Sequence, residues 1–202
     1  MHTFSFLTSR YISLQMNDVD TDMIIPARHL RSTSRTGYGQ FAFQNLRNAD
    51  PSFPVGNPAF ADAAIIVAGD NFGCGSSREH AVWALQEVGI KAVIAESFAD
   101  IFRNNAEKNG LLPIAASRSV IEALWTATSD NSAHPVTISI DLPSQTVESS
   151  VLSHPVSFEC DPFRKHCLLN GHTDFDYLVS HETAIREHFV KTGSRRFLRV
   201  AQ

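Results

Sequence analysis

The chain has 202 residues, of which 43% are hydrophobic and 19% charged, with a formal net charge of −4 at pH 7. That is the balance of a globular protein able to bury its own core. It excludes a general nucleic-acid binder, because no basic run reaches five residues, and no apolar run approaches a membrane span. The N-terminal residues lack the basic segment and long apolar core of a secretory signal. Three cysteines, Cys74, Cys160 and Cys167, show no Cys-x-x-Cys spacing. An odd count in an ordinary composition points to a reduced, cytoplasmic setting without a metal cage on this chain.

Along the chain, Phe4–Leu7 and Tyr11–Leu14 read as short strands. Asp18-Val19-Asp20-Thr21-Asp22 places three acids in five residues and reads as a loop. Residues 31–60 hold Gly37, Gly39, Pro51, Pro54, Gly56 and Pro58. They predict a long surface excursion with one short helix near Phe41–Arg47, tied down by phenylalanines that need burial. From residue 64 the pattern becomes regular. Strand 64–68 leads through a glycine turn to helix 77–88, stopped by Gly89, and then strand 91–95 and helix 98–109, ended by Gly110. Strand 111–115 contains Pro113, which predicts a sheet edge or an irregular strand. A helix opens at Ser117 or Ser119 and runs to about Thr126.

Val136, Ile138 and Ile140 alternate with polar residues, turn at 141–144, and return over Gln145–Val151 as a hairpin. Asp161-Pro162 opens a helix closed by Asn170-Gly171, and a last helix spans Tyr177–Val190. Arg195-Arg196-Phe197-Leu198-Arg199 reads as a solvated terminus. Alternating strands and helices predict an α/β fold with a partly parallel sheet. The chain reads as one domain over 1–202, with a long loop at about 31–60 and a helical C-terminal extension from about residue 161.

The chemistry concentrates in Gly69-Asp70-Asn71-Phe72-Gly73-Cys74-Gly75-Ser76-Ser77-Arg78-Glu79-His80. Glycines between strand and helix allow a sharp turn and close approach of a ligand. Ser76 or Ser77 is expected to cap the helix, with Glu79 completing a capping box with Ser76. A helix N-terminus attracts anions, and Arg78 adds a fork that fits a carboxylate or phosphate. The segment is not a Walker A loop, a Gly-x-Ser-x-Gly elbow or a dinucleotide fingerprint. On its own it also fits a purely structural turn. His80 alone reads as a packed histidine, and the other histidines, His134 among them, show no metal-ligand spacing.

This block resembles the small, swivelling domain of the aconitase superfamily. The likeness continues through Glu96-Ser97-Phe98-Ala99-Asp100-Ile101-Phe102-Arg103-Asn104-Asn105-Ala106 and Asn109-Gly110-Leu111-Leu112-Pro113. Within the superfamily, three further stretches resemble bacterial small subunits of 3-isopropylmalate dehydratase. They are Asp18–Pro26, the loop Arg35-Thr36-Gly37-Tyr38-Gly39, and Asp161-Pro162-Phe163-Arg164-Lys165-His166-Cys167-Leu168-Leu169-Asn170-Gly171. The resemblance implies a three-layer β/β/α fold. It also implies a hydro-lyase that isomerises 2-isopropylmalate to 3-isopropylmalate through isopropylmaleate in leucine biosynthesis, active only with a large subunit.

It further implies a 4Fe–4S cluster on that large subunit, Ser76 as the base, Arg78 on a substrate carboxylate, and Ser77 lining the pocket. Gly75, Thr21 and Asp22 are expected to bind substrate. In the loop Ala27–Gly39, with Arg28, Leu30 and Arg31, Arg35 is the expected partner of a second carboxylate. Aconitase has a substrate arginine shortly before the stretch matching Asp18–Asp22. Here Ser13-Leu14-Gln15 occupies that region, which favours an apolar substituent over a citrate carboxylate. Two alternatives stand beside this: a sister enzyme for homoaconitate, citraconate or a methylthioalkylmalate, and a non-catalytic anion-binding module.

Overall fold

The structure, a computed structural model, describes residues 3–30, 35–129 and 136–192. Arg31, His134 and the basic cluster at 195–199 lie outside them. The described residues form seven strands: β1 (Phe6–Ser13), β2 (Ala63–Val67), β3 (Ala92–Ala95), β4 (Leu112–Ala115), β5 (Thr137–Asp141), β6 (Thr146–Ser149) and β7 (Val156–Ser157). The helices are α1 (Thr21–Ile24), α2 (Gln44–Ala49), α3 (Glu79–Glu87), α4 (Asp100–Asn109), α5 (Arg118–Ser129), α6 (Pro162–Asn170), α7 (Asp174–Ser180) and α8 (Glu182–Thr192).

The strands form one sheet in the order β4-β3-β2-β1-β5-β6-β7. β1 to β4 pair in parallel, with helices in the connections between them, whereas β5, β6 and β7 pair antiparallel. β4 is an edge strand, as Pro113 predicts. The two faces of the parallel half bury separate cores, because successive side chains point to opposite faces. Ile12, Ile66 and Val93 join Ala81, Leu85 and Phe102 of α3 and α4. Ile65, Val67 and Ile94 join Ile121 and Leu124 of α5 together with Ile138, Ile140 and Val147 of the antiparallel half. The sheet therefore curls over the second core, giving two β layers, and α3 and α4 close the first core as the third layer.

Tyr11 fastens the second core: its hydroxyl donates to the Leu124 carbonyl at 2.7 Å in a buried setting. Burial pushes its pKa up to about 12. The unfolded chain releases this proton near pH 10, so between about pH 10 and 12 the unfolded state binds fewer protons and stability falls as pH rises. The loss is expected to reach on the order of 2 kcal/mol. Denaturant midpoints measured across pH 9–12 should show it, and Tyr11→Phe should flatten that slope.

Several elements depart from the sequence reading. β1 is one strand with a register shift at Arg10/Tyr11, not two short ones. The acidic stretch holds a short helix, α1, capped by the Asp20 carboxylate, which accepts from Met23 N–H at 2.6 Å. The short helix of the long excursion begins at Gln44 rather than Phe41. The last helix is two, because the chain turns at His181; α7 opens with a capping box between Thr173 and Asp176. Every residue from 181 to 191 is exposed.

Candidate active site

Two loops meet at the C-terminal end of the parallel strands, the position at which open α/β sheets place their sites. One is the stretch after β1 and the other the glycine turn after β2. They pair through backbone bonds from Asp18 N–H to Asp70 C=O (2.9 Å), Gly73 N–H to Val19 C=O (2.7 Å) and Thr21 N–H to Cys74 C=O (2.9 Å). Asp18 and Asn71 both adopt left-handed backbone, φ 51° and 57°. Their side chains lock each other, with Asn71 Nδ2 donating to Asp18 Oδ1 at 2.7 Å. Gly73, at φ +78°, is required outright, since a Cβ there would stand 2.1 Å from Phe102 Cγ. Gly75, at φ +90°, turns the chain outward, and Gly75, Ser76 and Ser77 are exposed.

α3 starts at Glu79 with Arg78 at its N-cap and no side-chain cap bond. This corrects the expected helix start at 77 and the expected capping box. Glu79 instead accepts from Asn109 Nδ2 at 2.7 Å, and Thr21 Oγ1 donates to the Ser76 carbonyl at 3.0 Å. The serines are thus released from capping. Among the described residues, neither the Ser76 nor the Ser77 hydroxyl has a protein partner, and their backbone N–H groups make no protein hydrogen bond. The free N–H groups of the first turn of α3 add to this donor-rich surface.

Arg78 is expected to be a free carboxylate clamp, but the structure gives it a protein partner. Nη1 and Nη2 grip Asp22 at 2.5 and 2.9 Å, and Nη1 also reaches the Ile25 carbonyl at 3.2 Å. The Arg78 side chain as a whole is 11% exposed and that of Asp22 57%. The hydrogen bonds from Arg78 hold the Asp22 carboxyl below its usual range, and Asp22 in turn raises Arg78. A guanidinium has five N–H donors, and three serve these contacts. The Nε–H and the remaining Nη2 proton form a second edge, of the width that a carboxylate accepts side-on.

Thr21 and Asp22, expected to bind substrate, are therefore brought to Ser76 and Arg78 but engaged with them. Thr21 is buried at 2% exposure with its hydroxyl on Ser76. Asp22 also accepts from Ala27 N–H at 3.0 Å, tying down the start of the following loop. Arg35 is not brought to the cluster. Its guanidinium lies over Trp83 at 5.4 Å, beside a groove lined also by Glu87 and Lys91 at the other end of α3. Glu87 is a residue that sequence reasoning missed. Its carboxylate accepts from Gly37 N–H (2.7 Å) and Gly39 N–H (2.6 Å), holding that loop on α3. Two glycines two apart were the available signal, but nothing local names their acceptor. His80 packs edge-on to Tyr38 and Trp83, the packed histidine expected.

Among the described residues, Cys74, Cys160 and Cys167 do not form a ligand group for an iron–sulfur cluster. Burial raises the thiol pKa of Cys74, with Asp20 and Asp18 adding to it. Burial pushes Cys160 up to about 11 and raises Cys167. Among the described residues no three His, Cys, Asp or Glu side chains gather to hold a metal ion. No helix among them is long and apolar enough to cross a membrane.

Comparison with known proteins agrees with this geometry. Residues 8–119 match the aconitase C-terminal domain family. The 3-isopropylmalate dehydratase small subunit of Francisella tularensis subsp. novicida is 48% identical over 187 residues, 93% of this chain and 96% of that protein. The small subunit from Rhodospirillum centenum is 49% identical over 179 residues, covering 86% and 87%. Among solved structures, 3-isopropylmalate dehydratase from Methanocaldococcus jannaschii superposes with a TM-score of 0.63 at 31% identity, covering 91% of this chain and 99% of that one. The curled sheet, the strand-to-helix turn with its two exposed serines, and these relatives place the chain in one family: it belongs to the 3-isopropylmalate dehydratase small subunits of the aconitase superfamily.

Proposed function

We propose that this chain supplies the proton-transfer half of a two-subunit hydro-lyase that converts 2-isopropylmalate into 3-isopropylmalate through isopropylmaleate, in the cytoplasm. The observation that carries the reading is the exposed, unpartnered Ser76 hydroxyl beside a guanidinium with a free edge. The 4Fe–4S cluster, which would supply Lewis-acid chemistry at the substrate hydroxyl, belongs on the large subunit, since this chain has no Cys-x-x-Cys spacing and, among the described residues, no group that could hold a metal ion. No step below runs through it.

Ser76, as the alkoxide, takes a proton from the substrate carbon next to the one bearing the hydroxyl. The C–H electron pair becomes the double bond of isopropylmaleate as the C–O bond breaks, and the hydroxyl, given a proton by an acid of the large subunit, leaves as water. In rehydration a water oxygen bonds to the carbon that lost the proton, its own proton passing to the same acid, and Ser76 delivers its proton to the carbon that carries the isopropyl group. A serine alkoxide needs positive charge and N–H donors already in place, each contributing about 3–4 kcal/mol in a water-poor site. The free N–H groups of Ser76 and Ser77, the head of α3 and Arg78 meet that need once the large subunit closes the site. The second edge of Arg78 takes one substrate carboxylate, and the Ser77 hydroxyl lines the same pocket. Arg35 as partner of the second carboxylate would require the loop to leave Trp83, so that cation is better sought on the large subunit.

The test is anaerobic co-purification with the cluster-bearing large subunit, followed by absorbance of isopropylmaleate from either isopropylmalate. Turnover only with both chains present supports the reading. A stable complex active only on homoaconitate, citraconate or a methylthioalkylmalate assigns a sister substrate instead. Failure to form a complex, with dicarboxylate binding by the lone chain, assigns an anion-binding module.

A further inference from the structure

We propose that Thr21 is a positioning residue for Ser76, acting through the Ser76 carbonyl and not through contact with substrate; this rests on the reading of Ser76 as the base. The Thr21 hydroxyl donates to the Ser76 carbonyl at 3.0 Å, and the residue is 2% exposed. Thr21 is itself held by the backbone: its N–H is bonded to the Cys74 carbonyl at 2.9 Å, and Asp20, its neighbour, forms a β-bridge with Cys74. The donor thus belongs to a rigid ladder, whereas the carbonyl it holds belongs to an exposed turn.

Among the described residues this is the one hydrogen bond made by Ser76. Gly75 precedes it at φ +90° and brings no side chain to hold the turn. Without the Thr21 bond, the peptide between Ser76 and Ser77 has no tether and can rotate. With it, the carbonyl points inward. Among the described residues there is no cis peptide bond, so the Ser77 N–H is antiparallel to that carbonyl and points away from Thr21, from a turn whose residues 75–77 are exposed. One side-chain hydroxyl therefore sets both the placement of Ser76 and the direction of an N–H available to a developing negative charge. Misplacement of a reacting group by about 1 Å costs roughly 100-fold in rate.

The experiment uses the reconstituted complex with the large subunit and compares Thr21→Val, Thr21→Ser and Ser76→Ala. Valine keeps the buried shape and removes the donor; serine keeps the donor and removes the methyl group. The expected result is a fall in kcat of about 10- to 100-fold for Thr21→Val. KM for isopropylmalate should stay within about twofold, and kcat in Thr21→Ser should return to within about threefold of the parent. Complex assembly and the unfolding midpoint of each variant are measured alongside.

An unchanged kcat in Thr21→Val, with Ser76→Ala inactive, overturns the positioning role and leaves the base in place. So does a fall in kcat that serine fails to rescue, because the methyl group then matters and the hydroxyl does not. A rise in KM at constant kcat overturns it too, since that is the signature of direct substrate binding. If Ser76→Ala itself keeps turnover, the base assignment fails and the proposal fails with it.

Discussion

Ser76→Ala is expected to lower turnover of the reconstituted complex by about a thousandfold, the range for loss of a positioned base. Folding and assembly should be close to unchanged. The hydroxyl is exposed and has no protein partner among the described residues, so its removal leaves no buried group unsatisfied. The Thr21 bond survives because it uses the Ser76 backbone carbonyl. The variant thus separates chemistry from structure. Kinetics with isopropylmaleate release as readout, beside a thermal unfolding curve of the isolated chain, measure the two effects. Near-normal turnover would falsify the assignment of the base.

Arg78→Lys is expected to have the second largest effect, on binding as well as on stability. Lysine keeps the charge but cannot reproduce a planar fork that grips Asp22 on one edge and offers a carboxylate the other. The guanidinium also bonds the Ile25 carbonyl, so the shorter ammonium leaves that carbonyl and one Asp22 oxygen without their donor. Stability should fall by about 1–2 kcal/mol, and KM should rise by roughly 10- to 100-fold.

The pH dependence has a definite sign. Arg78 depresses the folded-state pKa of Asp22, so the stabilisation from this pair is present above the unfolded value of about 3.9 and is lost as pH falls through the folded value. Weakening the fork moves the folded value upward, and the acid limb of the stability curve should move to higher pH in the lysine variant. Because Asp22 is 57% exposed, salt should reduce this difference. Acid unfolding midpoints at two ionic strengths decide the point; coincident parent and variant curves would remove Asp22 as the partner that matters.

The sequence makes the regular half of this fold legible because its signals are local. Ala63–Val67, Ala92–Ala95 and Leu112–Ala115 are short apolar runs bounded by breakers, and Gly110 and Gly171 end helices in left-handed conformation. The site is legible only in outline. Three acids at 18, 20 and 22 look like a solvated loop. Each is engaged elsewhere: Asp18 holds Asn71, Asp20 caps α1, and Asp22 grips Arg78. Two of those three partners are more than fifty residues away, beyond any window of sequence pattern.

The same cause explains the misplaced helix start. Ser76-x-x-Glu79 has the spacing of a capping box, but Glu79 finds Asn109 on α4, and tertiary contact overrides the local motif. Likewise Arg35 lies in a promising motif, yet Trp83 draws it to the other end of α3.

The edges of the sheet carry a last consequence. Leu112 and Ala116 direct their N–H groups inward to Lys91 and Ala95 at 3.0 and 2.9 Å, so position 113 between them faces the open side. A proline there leaves the middle of that border without a donor. The opposite border, β7, is two residues long. A newly made chain awaiting its large subunit therefore offers little template for strand addition by its own copies, and self-association into ordered aggregates is blocked at both rims. Pro113→Val would restore the missing donor at one rim, and light scattering of the unassembled subunit would then rise with concentration.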